Sequence, residues 1–303
     1  MRFEILGPLR CGSGRPAVDL SRRREGRILA ALLLSANRTV PMDGLIDMLW
    51  GEQPPATARQ QVQNCVSSVV RRLRGTDADL CVVRTASGYL LEAVESDLDA
   101  AVFETEVARA RPLAGTGHRA AAAQLLRTAL GRWRGRVLAG IDLGPFTPAA
   151  ARLEELRLTA MEQRFDLEIE LGRGNEILAD LAEAVGTHPI RERLVGQFML
   201  ALAGSGRTAE ALEVFRDTRR VLRDSIAVEP SRGLQAVQVA ILQGTSDAGL
   251  NAEAAAAPTQ HQLLMTAVAA AERALRRLEL VLHGARELTM TSHRGVRADS
   301  PHA

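Results

Sequence analysis

Apolar residues recur at both strand-like and helical spacing in the first ninety residues and at helical spacing alone beyond them. Phe3, Ile5 and Leu6 form a β-prone run that stops at Gly7-Pro8. The glycine-containing stretch 11–14 reads as a turn, and Val18-Asp19-Leu20 as a second short strand. Ser21 is placed to cap a helix over 22–36, whose Ile28, Leu29, Leu32 and Leu33 recur at helical spacing. Asn37 ends it, and Thr39-Val40 reads as an extended link. Pro41 suits the first turn of a second helix carrying Leu45, Ile46, Leu49 and Trp50. Gly51 stops that helix, and Glu52, Gln53, Pro54 and Pro55 form a loop, since paired prolines cannot continue a helix.

The spacing predicts a third helix over 57–74 with Thr57 as its cap. Val62, Cys65, Val66, Val69, Val70 and Leu73 share one broad face. Gln60, Gln63, Asn64, Ser67, Arg71 and Arg74 share the other, so the outer face holds amides, a hydroxyl and guanidinium groups but no carboxylate. Amides pair bidentately with adenine, arginine with guanine or phosphate, and serine with either. A plain solvated helix is the competing reading, although such a face usually mixes in acids. The run from Leu80 to Arg84, a tight turn including Ser87, and Tyr89-Leu90-Leu91 then predict a hairpin. Three helices and a terminal hairpin make a winged helix-turn-helix. The third helix would enter the major groove, and the hairpin would be the wing, with Arg84 reaching phosphate or the minor groove.

Strand signals vanish after residue 97. Helical periodicity marks 98–109, 119–130, 149–171, a helix ending near 185, 191–203 and 208–222, with an irregular stretch at 132–148. Gly172-Arg173 and Gly206-Arg207 interrupt this pattern 34 residues apart, the period of tetratricopeptide-type paired helices. Such stacks are interaction scaffolds. Residues 245–258 read as a linker, 260–290 as an amphipathic helix and 291–303 as a disordered end. The fold expected is mainly α: a winged-helix head over 1–95, helical repeats over 96–245, and a tail over 246–303.

Composition narrows the chemistry. The chain has 303 residues, 46% of them apolar and 3% aromatic, and every one of its 38 basic residues is arginine. Without lysine there is no Walker-type phosphate loop and no Schiff-base chemistry. Residues 1–91 hold 13 arginines against 8 acids, whereas 92–245 hold 19 against 22. A basic head on a mildly acidic body suggests that the head alone meets a polyanion. No apolar run approaches the roughly 20 residues of a membrane span. Cys11, Cys65 and Cys81 lack metal or disulfide spacing, with Cys65 expected in the core. His118, His188, His261, His283, His293 and His302 are scattered, so no metal or other cofactor is expected; His188 suits a capping or packing role. Glu154-Glu155 beside Arg152 and Arg157 read as ion pairs on the helix surface, and Trp50 and Trp133 as packing residues. A cytoplasmic protein without enzymatic activity is expected.

Several motifs resemble those of Streptomyces antibiotic regulatory proteins. In the head these are Met1-Arg2-Phe3-Glu4-Ile5-Leu6-Gly7-Pro8-Leu9, Leu45-Ile46-Asp47-Met48-Leu49-Trp50-Gly51, Pro54-Pro55-Ala56-Thr57-Ala58-Arg59 and Gly88-Tyr89-Leu90-Leu91. In the body they are Arg152-Leu153-Glu154-Glu155-Leu156-Arg157, Leu171-Gly172-Arg173, His188-Pro189-Ile190-Arg191-Glu192-Arg193-Leu194 and Glu229-Pro230-Ser231. The resemblance covers about residues 1–245 and implies an OmpR-type winged helix followed by a bacterial transcriptional activation domain. Ala227 departs from it, standing where the family usually has glycine; a positive φ there would cost Ala about 1 kcal/mol. By this resemblance the partners are a direct-repeat operator in double-stranded DNA, a second protomer in tandem on it, and RNA polymerase holoenzyme, with no membrane. DNA contacts would fall on Thr57, Arg59, Gln60, Gln63, Asn64, Ser67, Arg71, Arg74, Arg84 and Ser87. Polymerase contacts would fall on Gly51, Glu52, Gln53, Pro54 and Pro55. The target would be a secondary-metabolite gene cluster. The competing reading is a repeat scaffold for protein or a small ligand, with the head as a docking module.

Overall fold

The computed structural model describes residues 3–12, 24–74 and 81–244. The strand expected at Val18-Asp19-Leu20, the Ser21 cap and the tail helix over 260–290 lie outside the described residues. The head contains α1 (Arg24–Leu34), α2 (Met42–Trp50) and α3 (Ala58–Leu73), with β4 (Cys81–Arg84) and β5 (Gly88–Glu92) as the hairpin. Two elements differ from the sequence expectation. Thr39–Pro41 is a true strand, β3, paired antiparallel with β5, so the sheet runs β3-β5-β4. Pro41 therefore ends a strand, with φ −62° and ψ 143°, and α2 begins one residue later. Proline tolerates this position because β3 is an edge strand. Likewise Cys11, expected to open a turn, ends strand β2 (Arg10–Cys11), antiparallel to β1 (Phe3–Glu4). Asn37 ends α1 as expected: it adopts φ 60°, and its side chain both donates to Ala93 O and accepts from Ala93 N.

The body is helical throughout: α4 (Asp99–Gly115), α5 (Arg119–Leu130), α6 (Thr147–Glu170), α7 (Leu178–Thr187), α8 (Glu192–Gly204), α9 (Thr208–Ile226) and α10 (Arg232–Leu242). Gly172 and Gly206, at φ 74° and 78°, make the tight turns that separate α6 from α7 and α8 from α9. Helix α10 escaped the periodicity reading, although its signals are local. Ser231 caps it by accepting from Leu234 N at 3.3 Å, and Leu234, Val237, Ala240 and Ile241 form its buried stripe. Ala227 does take the left-handed conformation at the end of α9, with φ 55° and ψ 36°. Ala227→Gly should therefore raise stability by about 0.5–1 kcal/mol, read as a higher midpoint in thermal unfolding. An unchanged or lower midpoint would mean that the strain is absorbed.

One continuous apolar core joins head and body. It includes Ile5, Leu6, Leu29, Leu45, Val62 and Leu73 from the head with Phe103, Leu126 and Leu153 from the body. Two smaller clusters lie under α7 to α10, around Phe165 and around Phe215. Trp133 packs edge-on to Phe103, with ring centroids 5.3 Å apart, and lies under the Arg157 guanidinium.

The segment 3–11 is the seam between head and body. The buried carboxylate of Asp99, at the start of α4, accepts from Ile5 N at 2.8 Å and Leu6 N at 3.1 Å. Arg134 N donates to Leu6 O and Leu138 N to Ile5 O, while the Arg134 side chain reaches Glu4 and Asp99. A second link runs from Arg27 of α1 to both Asp142 and the Met48 carbonyl.

Glu154 and Glu155 also bind across elements rather than along their own helix. Glu154 accepts from Val137 N, and Glu155 takes two bonds from the Arg191 guanidinium. The same arginine donates to buried Glu162, so the α6–α8 crossing is tied by charge as well as by packing. His188 is the C-cap residue of α7; burial foremost, then Arg157 and Arg191, hold its pKa below the usual value.

Candidate nucleic-acid interface

Helix α3 buries Ala58, Val62, Val66, Val69 and Leu73 against α1 and α2. At 100° per residue, Gln60, Gln63, Asn64, Ser67, Arg71 and Arg74 then fall within an arc of about 100° on the opposite side. Five of the six are exposed and Gln63 is half-buried. The two flanks are held by pairs from the neighbouring helices. On one side Arg24 of α1 donates to Gln61 at 2.9 Å, and Ser68 donates to Glu25. On the other, Arg59 reaches Asp43 of α2 at 2.8 Å. Both members of that pair are exposed, so water screens it and Arg59 can exchange Asp43 for an incoming anion at little cost.

Thr57 does not cap the helix. It sits at φ −94° and ψ 11°, and its side chain makes no cap bond. Its hydroxyl accepts instead from Gln61 Nε2, leaving the first-turn amide groups without a side-chain partner from Thr57. Gln60 donates to Asn64 Oδ1 at 3.1 Å, which orients the Asn64 amide nitrogen outward as a remaining donor. Helix α3 has no acid in its first turn and carries Arg71 and Arg72 in its last.

The wing is fixed to the helical unit by its own turn. Thr85 N donates to Gly88 O, Gly88 N donates to Thr85 Oγ1, and Met42 N, at the start of α2, donates to Ser87 O at 2.8 Å. Gly88 lies so close to β3 that a Cβ would stand 1.9 Å from Val40 O, which excludes every other residue there. Arg84 and Ser87 are exposed on either side of this turn. The loop residues Gly51, Glu52, Gln53, Pro54 and Pro55 are all exposed as well, and Gly51 turns the chain at φ 59°.

A family model described as the bacterial transcriptional activator domain matches residues 98–242. The regulatory protein DnrI of Streptomyces peucetius is 35% identical over 261 residues, covering 83% of this chain and 94% of DnrI. The chain belongs to the Streptomyces antibiotic regulatory protein family. Within that family, the regulatory protein AfsR of Streptomyces coelicolor is 39% identical over 245 residues, and the chain spans about a quarter of its length. The transcriptional regulatory protein EmbR of Mycobacterium tuberculosis is 32% identical over 286 residues, covering 93% of this chain and 74% of EmbR. A solved structure of M. tuberculosis EmbR in complex with a low affinity phosphopeptide superposes with a TM-score of 0.74 at 31% identity, covering 84% of this chain and 68% of that one. By name AfsR and DnrI are regulatory proteins and EmbR is a transcriptional regulatory protein.

Among the described residues no helix is long and apolar enough to cross a membrane, and no cluster of His, Cys, Asp and Glu is arranged to hold a metal. Burial pushes the Cys11 thiol up to about 12 and raises that of half-buried Cys65, so both remain protonated packing groups.

Asp43, Glu25 and Arg24, the partners that frame α3, were not legible in the sequence. Each belongs to a different helix from the residue it binds, and no local spacing signals such a pair. The seam at Asp99 was missed for the same reason.

Proposed function

We propose that the chain is a sequence-specific DNA-binding activator acting in the cytoplasm. The carboxylate-free outer face of α3, set between two framing helices and beside an anchored wing, carries this reading. In it Gln60, Gln63, Asn64 and Ser67 face base edges. Thr57, Arg59, Arg71, Arg74, Arg84 and Ser87 meet phosphate and fix the register. We divide the chain into a DNA-binding head over 1–95, an activation domain over 96–245 and a tail over 246–303. The division is one of role, since a single core spans the first boundary. The relatives' names support a regulatory role, and a secondary-metabolite cluster is the target that the family resemblance favours.

Protomers occupy direct repeats in tandem and engage RNA polymerase. Copies on one face of DNA lie about one turn, 10–10.5 base pairs, apart. Inserting about five base pairs between half-sites should therefore abolish cooperative binding in a footprint titration. Cooperativity that survives the half-turn insertion would overturn the tandem arrangement.

Residues Gly51, Glu52, Gln53, Pro54 and Pro55 form the polymerase contact. The loop is exposed on every residue and is stiffened by two prolines. Replacing Glu52 and Gln53 by alanine should leave DNA affinity unchanged and lower transcription from a purified promoter system. Loss of DNA binding instead would reassign the loop to the operator.

A further inference from the structure

Helices α4, α5 and α6 do not pack evenly. Helix α4 lies along α5 and α5 along α6, whereas α4 and α6 touch at only a few points. Ala110 and Ala114, one turn apart on α4, present only methyl groups to the gap that this leaves. A cavity of about 390 Å³ opens there, with Arg193 of α8 closing another side. Ala110, Ala114, Leu126 and Leu167 make its apolar wall, and Arg111 and Gln163 stand in its polar one. Sites for small organic molecules have this make-up: they lie between helices, are mostly apolar, and carry a few polar groups that fix orientation, with volumes from roughly 300 Å³ upward.

The charges around the cavity leave one cation over. Arg193 donates to Asp166 at 2.5 Å, and Gln197 Nε2 donates to the same carboxylate at 2.6 Å. Asp166 is therefore compensated where it borders the cavity. Nearby, Arg127 is paired with Glu168 and Arg119 with Glu170. Arg111 has no acidic or hydrogen-bonding partner among the described residues, and neither has the Gln163 amide. Arg111 is exposed and Gln163 half-buried, which places the free guanidinium on the open side of an apolar recess with an amide beside it.

We propose that this cavity binds a small carboxylate with an apolar body, of acyl-chain or aromatic type. The carboxylate meets the Arg111 guanidinium, whose planar fork matches two carboxylate oxygens, and the Gln163 amide nitrogen. The apolar body covers Ala110, Ala114, Leu126 and Leu167 and removes that wall from water. Other ligand classes match less of the site. A neutral molecule forgoes the guanidinium, a cation meets Arg111 and Arg193 as like charges, and inorganic phosphate gains nothing from the apolar wall.

Titration calorimetry of the full chain with 1-naphthoate and with octanoate tests this. At least one of the two should bind saturably at a single site per chain. Naphthalene-1-carboxamide, which has the shape of naphthoate without its charge, should bind about tenfold more weakly than naphthoate. Arg111→Gln should weaken carboxylate binding about tenfold and leave the carboxamide unchanged. Ala114→Leu fills the recess from a half-buried helical position and should abolish binding of every probe. If that variant fails to fold, Arg111→Gln still decides, because it alters an exposed side chain that holds nothing else in place. Absence of saturable binding by both carboxylates would overturn the proposal. So would carboxylate binding that Arg111→Gln does not weaken, or that a folded Ala114→Leu chain retains.

Discussion

Gln63→Ala and Asn64→Ala should each relax base preference at one operator position by about 1–3 kcal/mol, roughly 5- to 150-fold in relative affinity. Affinity for unrelated DNA should hardly change, because neither side chain is charged. The reason lies in the packing of α3. Its apolar stripe is locked against α1 and α2, so its polar arc has a fixed direction and presents donors and acceptors without reorganisation. Asn64 is further oriented by Gln60, so Gln60→Ala should produce a weaker version of the Asn64 effect. Arg71→Ala and Arg84→Ala should behave differently. They weaken binding to all sequences alike and lower the salt slope by about one each, as lost phosphate contacts do. The decisive comparison is wild type against Gln63→Ala with Arg71→Ala on a footprinted operator. Equal binding by the two would remove α3 from the interface.

Asp99→Ala should destabilise the chain by about 3–5 kcal/mol, the second large effect. The carboxylate holds two backbone N–H groups of the segment 3–11 and receives Arg134, all in buried surroundings. Alanine leaves both amides unpaired beneath the head and takes from Arg134 one of its two carboxylate partners, Glu4 being the other. At 2–4 °C per kcal/mol for a chain of this size, the thermal midpoint should fall by roughly 10 °C or more. Asp99→Asn keeps the volume but offers one acceptor oxygen, so an intermediate loss is expected. A midpoint within a degree of wild type for Asp99→Ala would show that the seam carries no stability.

The same residue sets a pH dependence. Burial is the largest influence on Asp99 and raises its pKa above 3.8, while Ile5 N, Leu6 N and Arg134 pull it back. An acid with a raised folded pKa binds its proton more tightly when folded. Its contribution is therefore greatest below the ordinary carboxylate range and declines as pH rises through the raised value. Asp99→Asn should remove that component from a plot of stability against pH.

Local patterns in the chain were enough to place most helices and the face of α3. An amphipathic period needs only residues three and four apart, and the core selects the same residues that the period marks. Gln60, Gln63, Asn64, Ser67, Arg71 and Arg74 therefore stand on the solvent side as the spacing required. The glycine turns at 172 and 206 were equally visible, because a left-handed turn is a property of one residue. Glycine was also informative where it was missing, since Ala227 does take a positive φ. Ser231 and the stripe from Leu234 to Ile241 carried α10 in the same local way, although the irregular residues before them masked it.

Other features depend on partners far along the chain. Thr39–Pro41 becomes a strand only because β5, some fifty residues later, offers its edge. The two-residue strands β1 and β2 are too short to show a period, and the link between them, at Ile5 and Leu6, is held by Asp99, more than 90 residues away. Thr57 had the right chemistry for a cap, but its hydroxyl is taken by Gln61. Arg59 and Asp43 meet only when α2 and α3 cross. The sequence by itself determined which residues are helical and which way each helix faces, because hydrophobic burial selects among nearby positions. Only the tertiary structure decided that head and body share one core and that the wing is hung from α2. Those outcomes depend on backbone groups that must find hydrogen-bond partners at long range once water is excluded.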